Sequence, residues 1–139
     1  MKKRNFGNYQ VKLDMDTTAK WYAQSRSWGC ECSHCRNFLE LANKKELPNH
    51  ITEILDELGI APEKATYVCE LFTDETGIHY QFSYRIAGTI IDTSSADDNE
   101  NQNKVRCCHE PYPYGAPDFP KPNFDLEFYA TLPWVLEET

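Results

Sequence analysis

The chain has 139 residues, with 22 Asp and Glu against 14 Lys and Arg, for a formal net charge of -8. A field of that sign repels a phosphate backbone, which excludes nucleic acid as a partner unless a local basic face exists. No run approaches the roughly 18 apolar residues of a membrane span. A 40% hydrophobic, 13% aromatic composition suffices for one core, so residues 1–139 read as a single domain.

The opening Met1-Lys2-Lys3-Arg4-Asn5-Phe6-Gly7-Asn8 is basic with no apolar segment behind it. It reads as a solvated tail and not as a signal peptide. Six cysteines without a secretion signal then read as cytoplasmic thiols or metal ligands rather than a disulfide framework.

Tyr9, Val11 and Leu13 alternate with polar residues, which predicts a first strand. A stretch containing Trp21, Tyr22 and Trp28 leads to Cys30, Cys32 and Cys35. From about Ser33 to Lys45 the pattern turns helical: Cys35, Phe38, Leu39, Leu41 and Ala42 share one side, and Arg36, Asn37, Glu40 and Asn43 the other. Ile51, Ile54, Leu55 and Leu58 predict a second helix opened by Pro48-Asn49, with Asn49 as N-cap and Gly59 as the left-handed residue after it. Pro62–Ala65 adds at most one turn.

The period then becomes two. Thr66–Thr73 predicts a strand, Asp74-Glu75-Thr76-Gly77 a turn, and Ile78, Tyr80, Phe82, Tyr84 and Ile86 a long antiparallel strand with one wet face. Gly88 marks a bulge or bend in it. Residues 92–103 form a polar loop whose carboxylates lack the glycine and terminal Glu of a calcium-binding loop. Residues 111–122 form a Pro/Tyr-rich extended loop, and Phe124, Leu126, Phe128 and Ala130 predict the last strand. The fold class is therefore α+β: β-α-α followed by an antiparallel β-meander, with the helices on one sheet face.

The pointed feature is Cys30-x-Cys32-x-x-Cys35 at a helix entry. The C-x-x-C spacing lets Cys32 and Cys35 reach one tetrahedral zinc, and Cys30 adds a third thiolate. A fourth ligand must come from elsewhere. Cys107 and His109 are the main candidates, followed by Cys69, Cys108 and His34. If no Cys or His of the sheet reaches the cluster, a closed zinc site is not built.

Two other readings stand beside zinc. The cysteines can be simple packed thiols, since Cys35 shares a face with Phe38 and Ala42. Alternatively, Cys32 and Cys35 can act as a redox dithiol, with Cys32 activated at the helix N-terminus. No glycine-rich phosphate loop, G-x-S-x-G or H-E-x-x-H occurs. The reading is thus a non-enzymatic binding or interaction domain with a zinc candidate. An immunity-type or adaptor role against a basic protein partner fits the acidity. The alternative is a small thiol-disulfide oxidoreductase using Cys32 and Cys35.

The run Cys30-Glu31-Cys32-Ser33-His34-Cys35-Arg36-Asn37-Phe38, then Leu58-Gly59-Ile60, Tyr84 with Gly88, and Leu132-Pro133-Trp134, resembles a group of small uncharacterised bacterial proteins with a CxCxxCxNF motif. The resemblance spans most of the chain. It implies no established activity and no catalytic residues, but it does imply that Cys30, Cys32 and Cys35 act together.

Overall fold

Residues 2–6, 9–92, 105–112 and 114–136 are described by a computed structural model. Most of the expected 92–103 loop, and Pro113 of the Pro/Tyr-rich loop, lie outside them. The elements in chain order are β1 (Lys2–Phe6), β2 (Tyr9–Leu13), α1 (Met15–Gln24), α2 (Ser33–Asn43), α3 (Asn49–Leu58) and a 3-10 turn (Pro62–Lys64). Then come β3 (Tyr67–Asp74), β4 (Gly77–Asp92), β5 (Val105–Cys108) and β6 (Asn123–Leu132). The α+β class holds, with strands also preceding the helices. Among the described residues no helix is long and apolar enough to cross a membrane.

β4 is the spine of a six-stranded antiparallel sheet ordered β1-β2-β4-β6-β5, with β3 also paired to β4. β6 runs along one edge of β4 from Ile78 to Ala87. On the other edge, β3 covers residues 77–83 and β2 covers residues 88–92. Ser83, Arg85 and Ala87 have the same parity, so their backbone groups face that second edge. Between the two strands, Thr66 just ahead of β3 and α1 with its N-cap Asp14 supply the missing bonds. Thr66 N donates to Ser83 O, the Tyr22 hydroxyl to Arg85 O, and Asp14 N to Ala87 O. Ala87 N in turn donates to Thr18 Oγ1 at 3.0 Å.

That role explains why α1 was not foreseen. Its buried residues are Thr18 and Tyr22, one turn apart, and the intervening positions carry no apolar stripe. The local signal is the cap: Asp14 accepts from Thr17 N at 3.1 Å and from Thr17 Oγ1 at 2.7 Å.

α2 and α3 begin and end close to the expected places. Gly59 is left-handed at φ 73, letting its N–H and that of Ile60 reach the last carbonyls of α3. The N-cap position of α3, however, is Pro48 and has no side-chain cap, so Asn49 is the first helical residue. The Lys2-Lys3-Arg4 run is also not a tail. It belongs to edge strand β1, and Arg4 forks onto Glu57 of α3 through Nε at 2.7 Å and a terminal nitrogen at 2.8 Å.

Tyr80, Phe82, Tyr84, Phe124, Leu126 and Phe128 are fully buried on the helix-covered face, where Phe38 of α2 meets Phe82 with ring centroids 4.8 Å apart. The opposite face of β4 is wet only in part. Ser83, Arg85 and Ala87 are buried. Arg85 Nε donates to Asp125 Oδ1 at 2.9 Å, and its terminal nitrogens reach the carbonyls of Tyr112 and Ala116. The second Asp125 oxygen accepts from Tyr112 N at 2.8 Å. A buried ion pair thus pins the Pro/Tyr-rich segment over this face. The irregularity expected at Gly88 lies three residues further along β4: Gln10 and Val11 pair with Asp92 and Ile90, which leaves Ile91 as the extra residue. Gly88 itself, at φ 143, is where β2 closes in: an added Cβ would sit 2.0 Å from Lys12 O.

Candidate metal centre

Cys32 is the N-cap of α2, and its Sγ accepts from Cys35 N at 3.4 Å. Capping by sulfur places Cys32 and Cys35 on the same side of the first turn, and the extended residue before it brings Cys30 alongside. The three Sγ atoms lie within 4.8 Å of one another. Cys30 and Cys32 are exposed, whereas Cys35 is buried. Around a tetrahedral zinc with ordinary zinc–sulfur bonds, two sulfurs stand about 3.8 Å apart. That separation falls inside the 4.8 Å the three sulfurs share.

The polypeptide supports the innermost sulfur. The indole of Trp28 donates to Cys35 Sγ at 3.2 Å, and the Trp28 backbone N–H is tied to Glu63 O. Tyr80 in the sheet donates to His34 O at 2.7 Å, fixing the first turn of α2 against β4. Asn37, placed by its pattern on the polar side of the helix, is instead fully buried. Its amide donates to Pro133 O at 3.0 Å, and its carbonyl accepts from Val135 N at 2.7 Å. His34 also packs edge-on against Trp134. The cysteine run and the Leu132-Pro133-Trp134 run are therefore one physical unit, joined by Asn37.

The thiols are electrically unlike. The Cys35 N–H bonded to its sulfur holds the Cys32 thiol below its ordinary value, helped by the Cys35 and Cys30 thiols and the His34 N–H. Burial pushes Cys35 up to about 12, against the opposing pull of the Trp28 hydrogen bond.

No fourth ligand joins them among the described residues. Among the described residues, the only group of three or more metal-ligating side chains is Cys30, Cys32 and Cys35. Cys107 is buried in β5 opposite Leu126, and burial pushes its thiol up to about 12. His109 lines a separate cleft with Arg85, Phe119 and Lys121. Cys69 pairs with Gln81 on the face away from the helices, and Cys108 donates to Glu110 O. The ring of His34 is on Trp134. The fold therefore does not bring Cys107 and His109 to the cluster: strand register turns Cys107 into the core, and the bend after β5 puts His109 at the other cleft.

Trp28, Tyr80 and Asn37 escaped the sequence reading. The helical pattern gave no sign of them, since it set Asn37 among the polar residues. No protein-family model, curated protein or solved structure matches this chain.

Proposed function

We propose that this chain is a non-enzymatic, metal-binding interaction domain in which Cys30, Cys32 and Cys35 hold one thiophilic ion, with zinc the leading candidate. The observation that carries the reading is the convergence of three sulfurs on a capped helix N-terminus. Three thiolates without a fourth protein ligand make an open site rather than a closed structural one. The fold has its own core of buried aromatic and aliphatic residues, so the ion serves the surface and not the folding. The net charge of -8 makes a basic protein the fitting partner.

The test is a zinc titration of the full chain, purified without chelator and read by native mass spectrometry. One zinc per chain is expected. Cys30→Ser, Cys32→Ser and Cys35→Ser should each weaken it, and Cys69→Ser and Cys107→Ser should leave it unchanged. No bound ion at stoichiometric zinc, or equal binding by the triple serine variant, rejects the proposal.

One observation favours a second reading. An exposed thiol with a lowered pKa at Cys32, three residues before a buried thiol with a raised one at Cys35, is the division of labour of a dithiol couple. Turnover of a disulfide substrate by metal-free protein, abolished by Cys32→Ser, would establish this reading over the first.

A further inference from the structure

Next to the cysteines lies a second feature that the metal reading does not use. A cleft of about 430 Å³ opens between the end of α1, residues 24–29, residues 64–66 and the Tyr114–Asp118 turn. Its volume is within the range of sites for small molecules. The cleft and the cysteines share a wall. Trp28 lines the cleft and also donates to Cys35 Sγ, and Gly29, another lining residue, directly precedes Cys30.

The charge of this cleft runs against that of the chain. Arg26 and Lys64 line it, against one carboxylate, Asp118. Lys64 is fixed by its bond to Tyr22 O at 2.6 Å, where it sits at the negative end of α1. Asp118 takes a long 3.4 Å bond from Trp21. Arg26 is exposed, and its guanidinium has no hydrogen-bond or ion-pair partner among the described residues. An uncommitted guanidinium in a cleft also lined by Trp21 and Trp28 suits a carboxylate carried on a short flexible body.

We infer that this cleft takes a low-molecular-weight anionic thiol of di- or tripeptide size, whose sulfur fills the fourth position of an ion held by Cys30, Cys32 and Cys35. The inference rests on the metal-binding reading. A tripeptide extends to roughly 10 Å, and Arg26 stands four residues before Cys30, the first of the sulfurs its thiol is to join. The step is a ligand exchange without redox change. The incoming thiol gives its proton to solvent, its sulfur bonds to the metal, and the water in the open position leaves.

The test uses the full chain loaded with Co(II), whose sulfur-to-metal charge-transfer absorption scales with the number of bound thiolates. Glutathione is the probe, cysteamine the cationic control. Glutathione should raise that absorption by about one third, as three thiolates become four. Arg26→Glu should weaken glutathione at least about tenfold and leave Co(II) affinity unchanged, since one charge-assisted contact is lost. Cysteamine should bind more weakly than glutathione. An unchanged spectrum, equal binding by Arg26→Glu or cysteamine, or removal of the metal by glutathione would overturn the inference.

Failure of Co(II) to bind at all counts against the metal reading instead. The cleft is then judged alone with S-methylglutathione, which has no free thiol. Shifts of the Trp21 and Trp28 indole N–H signals that Arg26→Glu weakens would sustain the anion site, and their absence would reject it.

Discussion

Replacing Asp125 by alanine tests the claim that a buried ion pair holds the segment carrying Tyr112 and Tyr114. Both side chains of the Arg85–Asp125 pair are about 5% exposed. The substitution removes the Nε–Oδ1 bond and the acceptor of Tyr112 N, and leaves a guanidinium buried with only carbonyl partners. Breaking a buried pair from one side costs about 3–5 kcal/mol, because the remaining charge loses its compensation. For a domain whose total stability is on the order of 5–15 kcal/mol, that is a large share. Urea unfolding followed by tryptophan fluorescence measures it. The double variant Arg85→Met with Asp125→Leu should recover much of the loss, since replacing both partners removes the unpaired charge. A loss below about 1 kcal/mol in the single variant, or no recovery in the double, refutes the reasoning.

Asn37→Leu keeps the branching but strips Pro133 O and Val135 N of their partners. It should cost about 2–4 kcal/mol and speed amide exchange at Val135, read by NMR. Gly88→Ala forces a Cβ onto Lys12 O at a φ that other residues rarely adopt, so a loss of at least about 2 kcal/mol is expected, with amide exchange in β2 accelerated more than in β6. Burial pushes the Tyr80 hydroxyl up to about 12, so the folded state keeps this proton where an unfolded tyrosine has lost it. Its contribution is intact below roughly pH 10 and is lost as pH rises toward about 12. Tyrosinate absorbance of the parent, compared with Tyr80→Phe, isolates that step.

What was legible in the sequence follows what local pattern can encode. The helix at 49–58 shows its buried face as Ile51, Leu55 and Leu58, and β4 shows its own as alternating aromatics. The cysteine cluster is local as well, spanning only six residues. Three things depended on contacts far apart in sequence. α1 is defined by the β4 edge it serves, so its inward residues are a threonine and a tyrosine rather than a stripe. Asn37 and Arg85 are polar residues made internal by partners that arrive much later in the chain. The fate of Cys107 turned on register, since pairing with Leu126 commits its side chain to the core. A search for a fourth ligand by spacing cannot anticipate that.

The gap in the β4 edge also orders the events of synthesis. The partner of Thr18 is Ala87, 69 residues further on, and β2 pairs with the residues that follow. All three helices and the β3–β4 hairpin must therefore leave the ribosome before the amino-terminal hairpin has a place to dock. Loop closure of that span is a non-local step, of the kind that slows folding. During that interval β1 and β2 are a nascent strand pair without a sheet. The like positive charges of Lys2, Lys3, Arg4 and Lys12 then protect the chain from pairing with a neighbour.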